Sequence, residues 1–341
     1  MEERQLILLN TSIFKIDLKG NTVSETALTA EDTDFYKYIR SSINEVSLAP
    51  GGRKFKLRST NTEVVSTMLP IAINPVGTSF GQTIPNRLLR EEIAVQDRVA
   101  RMGIEVHEGL LIISVIEDRG VKKIVLCKVE DIQYIDKVDL KLNSGYPIRR
   151  KIFRSAQFHL SQVDLVENIV VHDLNSKGAT YWWDDFLEID QFWDDIYNTK
   201  TAFNIIDSKV LSKLKKESPA DHTYLRNATI RFFRTNQEFT IEKLIEACFD
   251  NYEAVNATKV DIDKIKESIR KLPEKHSFDE RFNLKPSEIT AKIKYSINLT
   301  ENIDLVIKDE INIESTITPE LHNNRKYIKI RSDAGYDAFK K

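Results

Sequence analysis

Cysteine is almost absent. The 341 residues hold two, Cys127 and Cys248, each in an apolar stretch (Ile124-Val125-Leu126-Cys127 and Ala247-Cys248-Phe249) and neither with a CxxC partner. That pattern excludes a disulfide framework and is expected of two buried thiols in a reducing compartment. Nowhere is there a run of about 18 apolar residues, so no transmembrane helix is expected. The start, Met1-Glu2-Glu3-Arg4, is acidic and lacks the basic-then-apolar profile of a signal peptide, which points to a cytoplasmic protein. An excess of positive charge is missing too. Fifty basic residues face 52 acidic ones, for a net charge of −2, so no global field holds the chain on a polyanion and only local clusters could.

The fingerprints of chemistry are also lacking. Neither GxGxxG after a strand nor GxxxxGK[ST] is present, and there is no HExxH or GxSxG. The histidines at 107, 159, 172, 222, 276 and 322 stand singly, without ligand spacing. His172-Asp173 closes an apolar strand; a catalytic dyad there has no nucleophile to serve. The chain is therefore expected to be no enzyme, with no cofactor and no metal. A metal-dependent nuclease built on the carboxylates described below is the minor alternative.

What is present describes a globular α+β chain. The length suggests two or three domains, and 41% hydrophobic with 30% charged residues fits a real core under a charged surface. Phe14, Ile16 and Leu18 alternate with Lys15, Asp17 and Lys19 as in a half-buried strand, and Gly20-Asn21 supplies a turn. Thr29-Ala30-Glu31-Asp32 resembles a capping box for a helix to about Val46. Phe55 and Leu57 suggest a short strand. Pro70, Pro75, Gly77, Gly81 and Pro85 predict a long loop over 70–85, after which Pro85 opens a helix with an apolar stripe at Leu88, Leu89, Ile93, Val99 and Met102 and a stop at Gly103. Residues 110–116 read as a buried strand, returning through Asp118-Arg119-Gly120 as the 123–129 partner. Strand-like runs continue to His172, so 1–175 is expected to be an α/β domain around an antiparallel sheet. Stripes at Ile206/Val210/Leu214, Leu225/Ala228/Phe232/Phe233, Ile241/Leu244/Ile245/Phe249 behind Thr240, and Ile262/Ile265/Ile269/Leu272 predict a helical domain over 176–275. Alternation from Ile293 to Leu299 and onward predicts a β-rich segment over 276–341 that packs on the rest.

Charge is unevenly placed. From Leu140 to Val163 there is no acidic residue, while Lys141, Arg149, Arg150, Lys151 and Arg154 occur with Tyr146, Phe153 and Phe158 among them. Cations at this spacing can reach successive phosphates, and arginine grips a phosphate bidentately; basic residues that guard a solvated sheet edge give the same pattern. A second acid-free window, 46–62, carries Arg53, Lys54, Lys56 and Arg58. A weaker cluster is Arg325, Lys326, Lys329 and Arg331. The opposite signal is the run from Tyr181 to Asp195, with Trp182, Trp183 and Trp193 and six carboxylates. Tryptophans buried at a structural junction, a protein-binding surface and a carboxylate metal site all remain open for it.

The order of Asn86-Arg87-Leu88-Leu89, Gly109-Leu110-Leu111-Ile112-Ile113, Leu126-Cys127-Lys128-Val129, Tyr181-Trp182-Trp183-Asp184-Asp185-Phe186-Leu187 and Asn324-Arg325-Lys326-Tyr327-Ile328-Lys329-Ile330 resembles the bacterial nucleoid-associated protein family called NdpA/YejK-like, over about residues 5–335. The resemblance implies nucleoid association, double-stranded DNA binding without a catalytic step, and contact with DNA topoisomerases; it transfers no catalytic residue. A phage-defence component on a similar scaffold is a related alternative. The long Gly/Pro loop and the near-neutral charge depart from the family. The leading expectation is thus a DNA-binding protein that contacts phosphates through Arg149, Arg150, Lys151 and Arg154, helped by Arg53, Lys54, Lys56 and Arg58, with little base specificity. The alternative is a protein-interaction adaptor that works through Trp182, Trp183 and Trp193. A homodimer is open in either case.

Overall fold

The computed structural model describes residues 6–28, 33–49, 51–148, 152–173, 180–293, 295–307 and 316–340. The chain is α+β and divides into two units: residues 1–198 with 278–282, and residues 199–277 with 283–341. The contact division falls at 198, not at 175, and so leaves the tryptophan-rich run inside the first unit.

The first unit is built on an eight-stranded sheet in the order β10-β3-β9-β8-β5-β4-β1-β2, antiparallel at each described pairing. Its strands are β1 (Ile7–Asp17), β2 (Thr22–Thr26), β3 (Arg53–Leu57), β4 (Gly109–Asp118), β5 (Val121–Glu130), β8 (Ile152–Leu160), β9 (Val166–Asp173) and β10 (Ile189–Gln191), while β6 (Ile132–Ile135) and β7 (Leu142–Gly145) pair apart from it. Strand β4 is apolar on both faces because both faces are covered. Leu111, Ile113 and Val115 join one core with residues of α2 (Glu63–Ile73) and α3 (Thr83–Val99), whereas Leu110, Ile112 and Ile116 join a second core with Ile39, Ile43 and Val46 of α1 (Asp34–Leu48). The β4–β5 turn needs two left-handed residues, met by Arg119 (φ 53°) and Gly120 (φ 77°), the geometry that lets a two-residue turn follow the twist of its strands. Gly109 is fixed by space: a Cβ there would lie 1.9 Å from the Val129 carbonyl oxygen.

Two local expectations are corrected. Helix α1 is capped by Thr33, whose hydroxyl accepts from the Tyr36 amide, while the proposed capping box at 29–32 lies outside the described residues. The predicted loop over 70–85 is shorter than expected, spanning 74–82: α2 carries Pro70 in its last turn, and α3 begins at Thr83, two residues before Pro85. A proline removes a helical hydrogen bond, but α2 buries Val64, Val65, Met68 and Ala72. Packing of that apolar face outweighs a local breaker that reads strongly in sequence.

In the second unit, α4 (Asp195–Ile205, which begins in the first unit) leads into a π-helical stretch, Ile206–Leu211, then α5 (Ser212–Glu217), α6 (Pro219–Thr235), α7 (Ile241–Cys248) and α8 (Ile262–Arg270). Thr240 caps α7 and Asp261 caps α8, each accepting from an amide three residues on. Buried Asp221 organises the loop after α7: its carboxylate accepts from Val255 N (2.7 Å), Asn256 N (3.1 Å) and Tyr252 Oη (2.6 Å). Two hairpins follow, Tyr295–Thr300 with Ile303–Ile307 and Ile317–His322 with Arg325–Ile330. Cys127 and Cys248 are both buried thiols outside any disulfide, and among the described residues no helix is long and apolar enough to cross a membrane.

Candidate nucleic-acid interface

The two strongest charge signals of the sequence meet each other. Strand β3 pairs with β10 in the register Leu57↔Ile189, Lys56↔Asp190 and Phe55↔Gln191, which sets the basic strand against the acidic run. Arg58 binds Asp184 at 2.5 Å and Asp190 at 3.0 Å; these hydrogen bonds raise its pKa against a small opposing effect of burial. Arg53 binds Asp195 at 3.0 Å and lies 3.8 Å from Asp279. Arg87 reaches Glu188 at 3.4 Å and Glu63 at 2.6 Å, and donates to the Phe186 carbonyl. Arg98 lies 3.7 Å from Asp185, and Asp194 accepts from the Tyr197 amide. Five of the six carboxylates of the acidic stretch thus have an arginine partner within their own unit.

Asp279 sits beneath this junction. Its oxygens accept from Lys54 N and Asn198 Nδ2, yet burial outweighs them and pushes its carboxyl up to about 6.

Arg154 does not belong to an exposed phosphate-contacting edge. Its strand β8 lies between β5 and β9, so the side chain is covered: it is 8% exposed, binds Glu130 at 2.7 Å, approaches Asp173 at 3.8 Å and lies 5.2 Å from the Tyr181 ring. Burial opposes its charge, but Tyr181, Asp173, Glu130 and Glu92 raise its pKa overall. The same cluster holds Lys128 and Glu92, paired at 2.5 Å and both fully buried, with Tyr181 Oη 3.0 Å from Glu92. Arg149, Arg150 and Lys151 lie outside the described residues. Of the second basic cluster, Lys54 and Lys56 are exposed. The Lys54 ammonium stands 5.2 Å from the Trp193 ring centre.

The tryptophans separate by environment. Trp182 is fully buried against Phe186, and half-buried Trp183 packs on Phe55. Trp193 is also half-buried but belongs to a surface group, edge-on to Phe192 and stacked on Tyr197. Among the described residues no three histidine, cysteine or acidic side chains gather as for a metal ion.

One exposed cation cluster in the second unit is absent from the sequence reading. Lys209, before α5, and Lys213, within it, line a recess of about 230 Å³ together with Lys259, Lys264 and the carboxylates Glu217 and Asp261. Among the described residues, Lys264 alone of the four lysines has a carboxylate partner, Asp261 at 3.3 Å. Lys216 follows at the next turn and is exposed, and Lys215 lines a larger recess beside Arg226. Arg226 is held on both oxygens of Asp207. The missed signal was Lys209-Val210-Leu211-Ser212-Lys213-Leu214-Lys215-Lys216: lysines at i, i+4 and i+7 beside the stripe that had marked the helix, whose Val210 and Leu214 line the same recess. No family model and no curated protein matches the chain.

Proposed function

We propose that the protein binds double-stranded DNA without a catalytic step, gripping the phosphate backbone with little sequence preference. The observation that carries this reading is the group Lys209, Lys213, Lys216 and Lys259, all exposed and none with a described carboxylate partner. Free lysines on one patch suit a polyanion, because each can neutralise a phosphate and release its counterion. Buried Arg154 and the carboxylate-bound Arg53 and Arg58 are removed from the contact set. Lys54 and Lys56 stay in it as exposed cations of the first unit, and Arg149, Arg150 and Lys151 stay in it from the acid-free window.

The four lysines of this patch contribute about −3.6 to the log–log salt slope, about −0.9 each, and the retained cations add to it. Replacing Lys209, Lys213 and Lys216 by Gln should make the slope shallower by about 2.7. A slope that stays where it was would remove the patch from the interface.

One observation favours the adaptor reading as a second possibility. Phe192, Ile196 and Tyr197 are 54%, 45% and 42% exposed around Trp193, a concentration of aromatic surface typical of interface hot spots. In that reading Phe192→Ser with Tyr197→Ser abolishes capture of a purified DNA topoisomerase while DNA affinity is kept; undiminished capture counts against it.

A further inference from the structure

The last hairpin is a two-faced ribbon. In an antiparallel pair, residues directly opposite share a face, and the face alternates along each strand. The register is Ile317↔Ile330, Thr318↔Lys329, Pro319↔Ile328, Glu320↔Tyr327, Leu321↔Lys326 and His322↔Arg325. One face therefore carries Ile317, Pro319, Leu321, Lys326, Ile328 and Ile330. The other carries Thr318, Glu320, His322, Arg325, Tyr327 and Lys329, and Arg331 extends it by one step, its amide donating to the Thr316 carbonyl.

Every residue from Arg325 to Arg331 is exposed, with Tyr327 at 46%. Lys329 is paired with Glu320, whereas Arg325 and Arg331 have no described carboxylate partner. A lone two-stranded hairpin gains little from its own burial, so side chains of this kind held outward on both faces suit a ribbon made for contact.

We infer that this ribbon enters the major groove of duplex DNA with its Arg325–Tyr327–Lys329–Arg331 face toward the base edges. The inference rests on the DNA-binding reading above and adds to it the element that enters the duplex and the groove it takes. Two strands about 4.8 Å apart make a ribbon that a groove about 12 Å wide admits. Positions two apart on a strand are about 6.7 Å apart, and Arg325 to Arg331 spans about 20 Å, or about six base pairs along the duplex axis. Arginine has the fork that pairs with guanine O6 and N7. The ribbon thus adds a mild guanine preference to an otherwise backbone-reading protein. An acidic protein surface would also attract the ribbon, but duplex DNA supplies a groove of this width lined by acceptors at guanine.

The test uses the full chain on a 30-base-pair duplex, with dimethyl sulfate probing guanine N7, which lies in the major groove. The wild-type complex is expected to protect N7 over one face of the duplex. R325Q/R331Q is expected to lose that protection and at least tenfold in affinity, whereas R325K/R331K, which keeps donors at both places, retains protection. K209Q/K213Q/K216Q is expected to flatten the salt slope and still protect N7 in the residual complex. A wild-type complex that leaves N7 fully reactive, or R325Q/R331Q that protects like wild type, overturns the ribbon while salt-dependent binding preserves the backbone reading. Absence of any wild-type binding overturns both.

Discussion

Replacing Lys128 by Met should destabilise the first unit by about 3–5 kcal/mol, the cost of leaving a buried carboxylate without its counter-ion. The ammonium of Lys128 is bound to Glu92 at 2.5 Å and to the His107 carbonyl at 2.6 Å, with both charged side chains fully buried. Glu92 keeps only Tyr181 after the change, because its second oxygen has no described hydrogen-bond partner. All three tryptophans lie in the first unit, so intrinsic fluorescence during urea unfolding follows that unit. At about 2 kcal/mol per molar urea, the midpoint should fall by about 1.5–2.5 M. The double replacement of Lys128 by Met and Glu92 by Leu should recover most of the loss, since an apolar pair of similar volume needs no desolvation of charge. A single variant that loses less than about 1 kcal/mol, or a double variant no better than the single, would refute the view that this pair is a mutually dependent buried unit.

Other outcomes follow from the same arrangement. Arg154→Ala should cost the first unit about 3 kcal/mol or more by stranding Glu130, while the DNA salt slope stays unchanged; a changed slope with intact stability would return Arg154 to the interface. Burial, with Lys123 adding and Asp118 opposing, holds the His159 imidazole down at about 4. Stability from His159 is therefore present above about pH 6.5 and lost as pH falls toward 4, and the urea midpoint of His159→Gln should vary less over that range than wild type. Asp279 has the opposite sign. Its carboxyl is raised to about 6, so its contribution is present below about pH 4 and lost as pH rises through 6; Asp279→Asn should remove that decline from the pH profile of the first unit. Thr240→Ala should lower the stability of the second unit by about 1 kcal/mol through loss of the α7 cap, measured by far-ultraviolet circular dichroism.

Much of the fold was legible because local pattern and burial agree. The unbroken apolar run of β4 means two covered faces, and Arg119-Gly120 permits only a tight reversal. Thr240, ahead of its apolar stripe, marks a helix start that tertiary packing has no reason to move. Pro70 was misleading because a proline reports on the backbone alone, while Met68 and Ala72 are decided by packing on the sheet. The site was far less legible. Arg53 and Arg58 look like free cations in sequence, and their partners Asp184, Asp190 and Asp195 are more than a hundred residues away. Arg154 looks exposed until β9 and Tyr181 cover it. The lysines of 209–216 were visible as letters, but their freedom from carboxylates depends on which acids the fold brings near.

The most direct measurement is the equilibrium affinity of the intact chain for a labelled duplex, followed by fluorescence anisotropy between 50 and 200 mM salt. Affinity should fall by about 150-fold or more over that range, since the four lysines alone contribute a slope of about −3.6. Affinity that is flat with salt, or no binding at 50 mM, would contradict the account.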